Sequence, residues 1–157
     1  ERRIDLLLRK VNPRLPMFLA EDAGLESGFM IAHVTAAALA SENKTLAHPA
    51  SADTVPTSAG QEDHVSMAPW AGVKLNRALG NTFHILGVEA LAAAEAIDLQ
   101  RPLTTTAGLE ALHGAIRKRV PQAGGDRRLD LGISTLAASL SDGSLLAEAI
   151  PAFFPLL

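Results

Sequence analysis

The chain has 157 residues, a formal net charge of −3 and a pI near 5.9, so electrostatics give no reason to expect nucleic acid or an acidic membrane surface as a partner. It has no cysteine, which excludes a disulfide framework, a thiolate nucleophile and a cysteine-ligated zinc site, and which suits a reducing compartment. With 48% hydrophobic but only 4% aromatic residues, the core must be built from Leu, Ala, Ile and Val, a mixture that favours closely packed helices in one domain.

Residues 1–10 carry Ile4, Leu7 and Leu8 on one helical face, with Arg2, Arg3, Arg9 and Lys10 outside. They read as the end of a helix already in progress, so the chain is expected to be a piece of something longer. Asn12-Pro13 and Leu15-Pro16 stop that helix, because proline disfavours helical geometry in the residue before it. An irregular connection over 12–28 follows, then a long helix from about Phe29 to Ala47. Its first turns, FMIAHVTAAALA, are apolar nearly all round and are expected in an interior. That run would be roughly 18 Å long as a helix, too short to cross a bilayer. His48-Pro49 ends it, and residues 49–61 form a loop with Pro49 and Pro56.

The spacing then predicts a second long helix from about Glu62 to Leu99, with Pro69 near its first turns. A shorter amphipathic helix covers 107–120 and ends in Arg117-Lys118-Arg119, which suits the negative end of a helix dipole. Gln122 to Asp126 reads as a flexible turn. Last come a helix near 130–140, a break at Asp142-Gly143, and a short helix before Pro151. Nothing alternates with period two for long enough to be a strand, and no internal repeat is visible. The expected class is all-α, a long-helix bundle.

Most chemistry-bearing patterns are absent. The five histidines lack metal-ligand spacing and there is no HExxH, so no metal is expected. Ser66 beside His64 stands in no nucleophile elbow, and Gly24, Gly28 and Gly60 form no phosphate loop. Arg117–Arg119 and Arg127-Arg128 read as solvated faces. What remains is Glu62-Asp63-His64, just after a proline-bounded loop. One reading is structural: two acids at a helix start oppose the positive end of the dipole. The other is functional: one carboxylate faces a cleft between loop and helix, where a neighbouring like charge and partial burial suit it to proton transfer. The physics of the sequence leaves both open.

The segment LPMFLAEDAGLESGFMIAHVTAAALASENKTLAHPASADTVPTSAGQEDHVSMAP resembles the C-terminal half of the histidine ammonia-lyase branch of the aromatic amino acid lyase family. The matching pieces are LPxFL, GLxSGFMIAxVTAAALxSENK, the HPAS loop and TSAxQEDHVSMAP, in family order and with family spacing. They cover roughly residues 1–130; beyond, the match thins to a DR…DGSL pattern, leaving residues 131–157 weakly covered.

The resemblance implies part of a larger helical subunit, assembled as a cytoplasmic homotetramer whose active sites draw on more than one subunit. It implies non-oxidative elimination of ammonia from an α-amino acid, which for L-histidine gives urocanate. The implied electrophile is a methylidene-imidazolone (MIO) made from an Ala-Ser-Gly tripeptide. The chain has only Ser58-Ala59-Gly60 and Thr106-Ala107-Gly108, so the MIO would form elsewhere in the full-length protein. The family's base resembles a tyrosine, and the chain has none. It is therefore expected to hold only part of the site and to be inactive alone.

In the histidine branch, the glutamate of QEDH lies near the substrate, a role that falls on Glu62. Phenylalanine and tyrosine lyases resemble each other in an NQD-type sequence there, so Glu62 favours a histidine substrate. Gln61, Met30 and Ile31 are implied substrate-binding residues, and His64 a structural hydrogen-bonding one. Gly60 departs from the asparagine usual before QEDH, which is expected to loosen the loop. The alternatives are another MIO-dependent lyase or aminomutase, and a non-catalytic helical assembly module.

Overall fold

The computed structural model describes residues 1–9 and 11–153. Among them the chain is all-α: α1 (Arg2–Leu8), α2 (Met30–Leu46), α3 (Ala68–Asp98), α4 (Ala107–Arg119), α5 (Asp130–Ser141) and α6 (Ser144–Phe153), with short 3-10 turns between. Its β-type pairing among the described residues is one isolated bridge, Thr57 to Glu62. No helix among them is long and apolar enough to cross a membrane.

Helix α3 is the spine. It packs against α1, α2, α4 and α5, while α6 covers α4. Its buried residues cluster at its C-terminal end, where Val88, Leu91 and Ala92 meet Ile4 and Leu8 of α1, Ala36 of α2, Ile116 of α4 and Leu136 of α5. Small residues permit the close approaches. A Cβ on Gly87 would lie 2.8 Å from the Ile133 carbonyl oxygen, so the α3 and α5 backbones touch there. The N-terminal half of α3 leaves Trp70, Val73, Leu75 and Leu79 exposed.

Four expectations need correction. First, α3 begins at Ala68, not near Glu62. Pro69 sits in its opening turn, where its missing N–H has no helical partner to lose, so proline starts this helix and does not kink it.

Second, the apolar run at the start of α2 is not interior within this chain. Phe29, Ala32 and Ala36 are buried, but Ile31 and Val34 are 65% and 57% exposed. One neighbouring helix can cover only one stripe, and α2 lies along α3 with the rest facing away.

Third, α6 runs through Pro151 to Phe153. Packing holds that last turn: the Phe153 ring lies so close to Gly108 that a Cβ there would be 2.6 Å away.

Fourth, the basic runs are not simply solvated. Glu95 and Asp98 stand one turn apart on α3 inside an apolar stretch, and their buried charges need partners. Arg117 and Arg127 each donate to Glu95 Oε2 at 2.9 Å; Arg117 Nε and His113 Nε2 meet Asp98 at 2.7 and 2.8 Å. Arg119, likewise, pairs with Glu148.

Candidate active site

The QEDH segment is carried on a tight turn. Thr57 N–H donates to the Glu62 carbonyl at 2.9 Å and Glu62 N–H to the Thr57 carbonyl at 3.3 Å, closing a six-residue loop. Inside it, Ser58, Ala59 and Gly60 all adopt left-handed backbone, with φ of 54°, 56° and 86°. For the two non-glycine residues this costs about 1–2 kcal/mol each. Strain of this kind persists where a segment is held for function. Left-handed φ also accounts for Gly60: glycine and asparagine are the residues that enter this region most readily. The departure from asparagine therefore preserves the turn and does not loosen it.

The base of the loop is stapled. Thr54 Oγ1 accepts from Val65 N–H and donates to the Val65 carbonyl, both at 2.9 Å. Lys74 donates to the His48 carbonyl, fixing the connection after α2 onto α3. Further along, Asn43 Nδ2 donates to the Ala78 carbonyl and Thr82, while Asn81 donates to Glu42 and Asn43. Arg77 pairs with Glu42. The SENK motif is thus a polar clasp between α2 and α3, a role that sequence pattern alone did not assign. Its signal was a run of polar residues ending an apolar helix.

Gln61, Glu62 and Asp63 are exposed. Neither expectation for the acids is met within this chain: Glu62 precedes the α3 start by six residues, too far to act on its dipole, and it is not partly buried in a cleft. His64 stands exposed on the wall of a cleft with Pro49, Asp53 and Met67, and among the described residues its ring takes no hydrogen bond. Among the described residues no three or more His, Asp or Glu side chains group as a metal site.

Met30 and Ile31 lie at the other end of α2. Both are exposed, and Ile31 lines a groove with His84, Asp126 and Ile133. From Met30 to Leu46 the helix rises about 24 Å, and the loop holding Glu62 follows its far end. Met30 and the loop holding Glu62 are thus attached at opposite ends of α2.

A strained turn presents an exposed carboxylate on a helical scaffold whose apolar faces lack cover. The family model for aromatic amino acid lyases matches residues 1–118, and the chain belongs to that family. Among curated relatives, it is 50% identical over 143 residues to the histidine ammonia-lyase of Rhodospirillum rubrum, covering 91% of this chain and 28% of that one. Among solved structures, the histidine ammonia-lyase of Trypanosoma cruzi superposes with a TM-score of 0.90 at 44% identity, covering 96% of this chain and 30% of that one. A tyrosine aminomutase from Streptomyces globisporus also superposes at 0.90, with 36% identity, covering 96% and 29%. The chain thus spans under a third of the length of each.

Proposed function

We propose that the chain is the C-terminal helical part of a histidine ammonia-lyase subunit, a cytoplasmic enzyme that eliminates ammonia from L-histidine to give urocanate. The observation that carries this reading is Glu62, an exposed carboxylate held by backbone bonds where a strained turn closes. A carboxylate can pair with an imidazole or an ammonium group, and an apolar ring would leave it uncompensated. Gln61 beside it offers an amide that orients the same ligand.

An MIO group, made from Ala-Ser-Gly elsewhere in the complete protein, supplies the electrophile. The residues of this chain fit the substrate side of such a centre: a carboxylate and an amide hold and orient an amine, and neither generates an electrophile. Glu62 binds the substrate and holds or accepts a proton at its carboxylate oxygens. Met30 and Ile31 offer apolar surface to the substrate. Each active site of one homotetramer is completed by neighbouring subunits. The exposed stripe of α2 and the exposed residues in the N-terminal half of α3 are the surfaces those neighbours cover.

A second reading, a lyase or aminomutase for tyrosine or phenylalanine, is favoured by the equal TM-score to the tyrosine aminomutase. Glu62 separates the two. The test is to supply the complete protein with L-histidine, L-phenylalanine and L-tyrosine and follow urocanate, cinnamate and coumarate by absorbance, with β-amino acid products by chromatography. Urocanate as the main product upholds the proposal. Equal or faster turnover of phenylalanine or tyrosine, or a β-amino acid product, overturns it.

A further inference from the structure

The segment after residue 118 lies beyond the part matched by the family model, yet it reaches back across the fold to the start of α2. Asp126 Oδ1 accepts from the Ser27 and Gly28 amides at 3.0 and 2.9 Å, and Oδ2 lies 3.0 Å from the Ser27 amide. These donors are nearly a hundred residues away in sequence. They hold the Asp126 carboxyl below the usual carboxylate range, Ser27 first and Gly28 next.

The turn they grip has little freedom of its own. Gly28 has a left-handed φ of 51°, and a Cβ there would lie 2.5 Å from the Phe18 carbonyl oxygen. The next amide, Phe29, donates to that same oxygen at 3.0 Å, and Met30 N–H donates to the Ser27 carbonyl at 3.1 Å. Phe29 is buried, so the direction in which α2 leaves this turn is set before Met30 and Ile31 are reached. Behind Asp126, Arg127 is locked to buried Glu95 on α3. Glu95 on α3 therefore holds Arg127 while the adjacent Asp126 holds the backbone that launches α2, so two neighbouring residues tie that backbone to the α3 core.

We propose that Asp126 is a positioning residue for substrate binding: by gripping the Ser27 and Gly28 amides it fixes the start of α2 and hence the placement of Met30 and Ile31. It rests on the reading that Met30 and Ile31 meet the substrate. Carboxylate-to-amide bonds are stronger and shorter than neutral ones, so losing this grip releases the start of α2 and weakens the binding contacts that Met30 and Ile31 make.

The experiment uses the complete enzyme and measures KM and kcat for L-histidine in Asp126→Ala, Asp126→Asn, Met30→Ala, Ile31→Ala and the Asp126→Ala/Met30→Ala pair. Asp126→Ala should raise KM roughly tenfold, with kcat within about threefold of the parent, the split expected when binding contacts alone are lost. Asp126→Asn keeps an acceptor oxygen and should recover most of that KM. The double variant should be clearly non-additive, since both changes act on one contact. If Asp126→Ala does not assemble, Asp126→Glu carries the same KM expectation, because it keeps the charge and displaces the grip by one methylene. A parental KM in the Asp126 variants, with raised KM in Met30→Ala, overturns the positioning role alone. Independent, multiplicative losses do the same. Parental KM in both Met30→Ala and Ile31→Ala overturns the pocket reading, and this proposal with it.

Discussion

Replacing Glu62 by glutamine in the complete enzyme changes one oxygen to an amide nitrogen on an exposed side chain. The turn that carries it is closed by main-chain bonds between Thr57 and Glu62, and its base by Thr54 and Val65, so nothing in this chain's fold depends on the carboxylate. The melting temperature and oligomeric state should be those of the parent. The whole effect should fall on turnover. Removal of a positioned acid–base group costs roughly 10²–10⁴ in rate, about 3–5 kcal/mol of barrier. Urocanate absorbance with L-histidine reads this directly, and circular dichroism on the same preparation reads the fold. Turnover within threefold of the parent would refute the assignment of Glu62, and so would a variant that loses activity only because it unfolds.

Other expectations rest on the packing. Glu95→Ala removes the one anion shared by Arg117 and Arg127 and should destabilise the enzyme by about 3 kcal/mol, the lower end for breaking a buried ion pair because Arg127 can turn toward water; denaturant midpoints measure it. Gly28→Ala should destabilise the complete enzyme through its left-handed φ and the Phe18 carbonyl, whereas Gly114→Ala, where an added Cβ meets nothing, should be neutral or gain up to about 1 kcal/mol of helix propensity; melting temperatures of the pair decide. Glu110 has its pKa lowered from 4.5 to about 2, first by the Arg101 side chain and then by the Thr105 amide. A carboxylate with a depressed folded pKa stabilises above its unfolded pKa and loses that contribution as pH falls through the folded one. The stability gap between the parent and Glu110→Gln should therefore be full above pH 4.5 and close toward pH 2. Finally, the 157-residue chain alone should release no ammonia from L-histidine and should self-associate through its exposed apolar stripes, as light scattering would show.

The class of fold was legible because leucine and alanine recur at helical spacing, and α4 and α5 fall within a residue or so of where that spacing put them. The start of α3 was not. Acids before a proline look like a first turn, and only the backbone bridge from Thr57 to Glu62 shows that the chain is extended there. The left-handed run at Ser58 and Ala59 had no signal, since neither residue type prefers that region. Arg117 and Arg127 looked solvated because their partners lie on another helix, and Glu95 and Asp98 inside an apolar stretch were the available clue. Asp126 was hidden for a similar reason: its partners are main-chain amides, which no residue pattern records.

The uneven burial of α3 has a mechanical consequence. The core grips it from Gly87 onward, leaving nineteen residues back to Ala68 as a cantilever about 28 Å long at the usual helical rise. The α2 clasp at Arg77, Ala78, Asn81 and Thr82 stiffens the inner part of this arm and leaves its first turns uncovered. Rocking the arm by about 2° at the core would carry its tip roughly 1 Å, and displacement on that scale can cost a hundredfold in rate. On the role proposed for Glu62, a small core cannot hold its turn to catalytic tolerance by leverage alone. On that role the bracing acts near the tip, against the exposed stripe of Trp70, Val73 and Leu75, and substitutions at that stripe would misaim the Glu62 carboxylate.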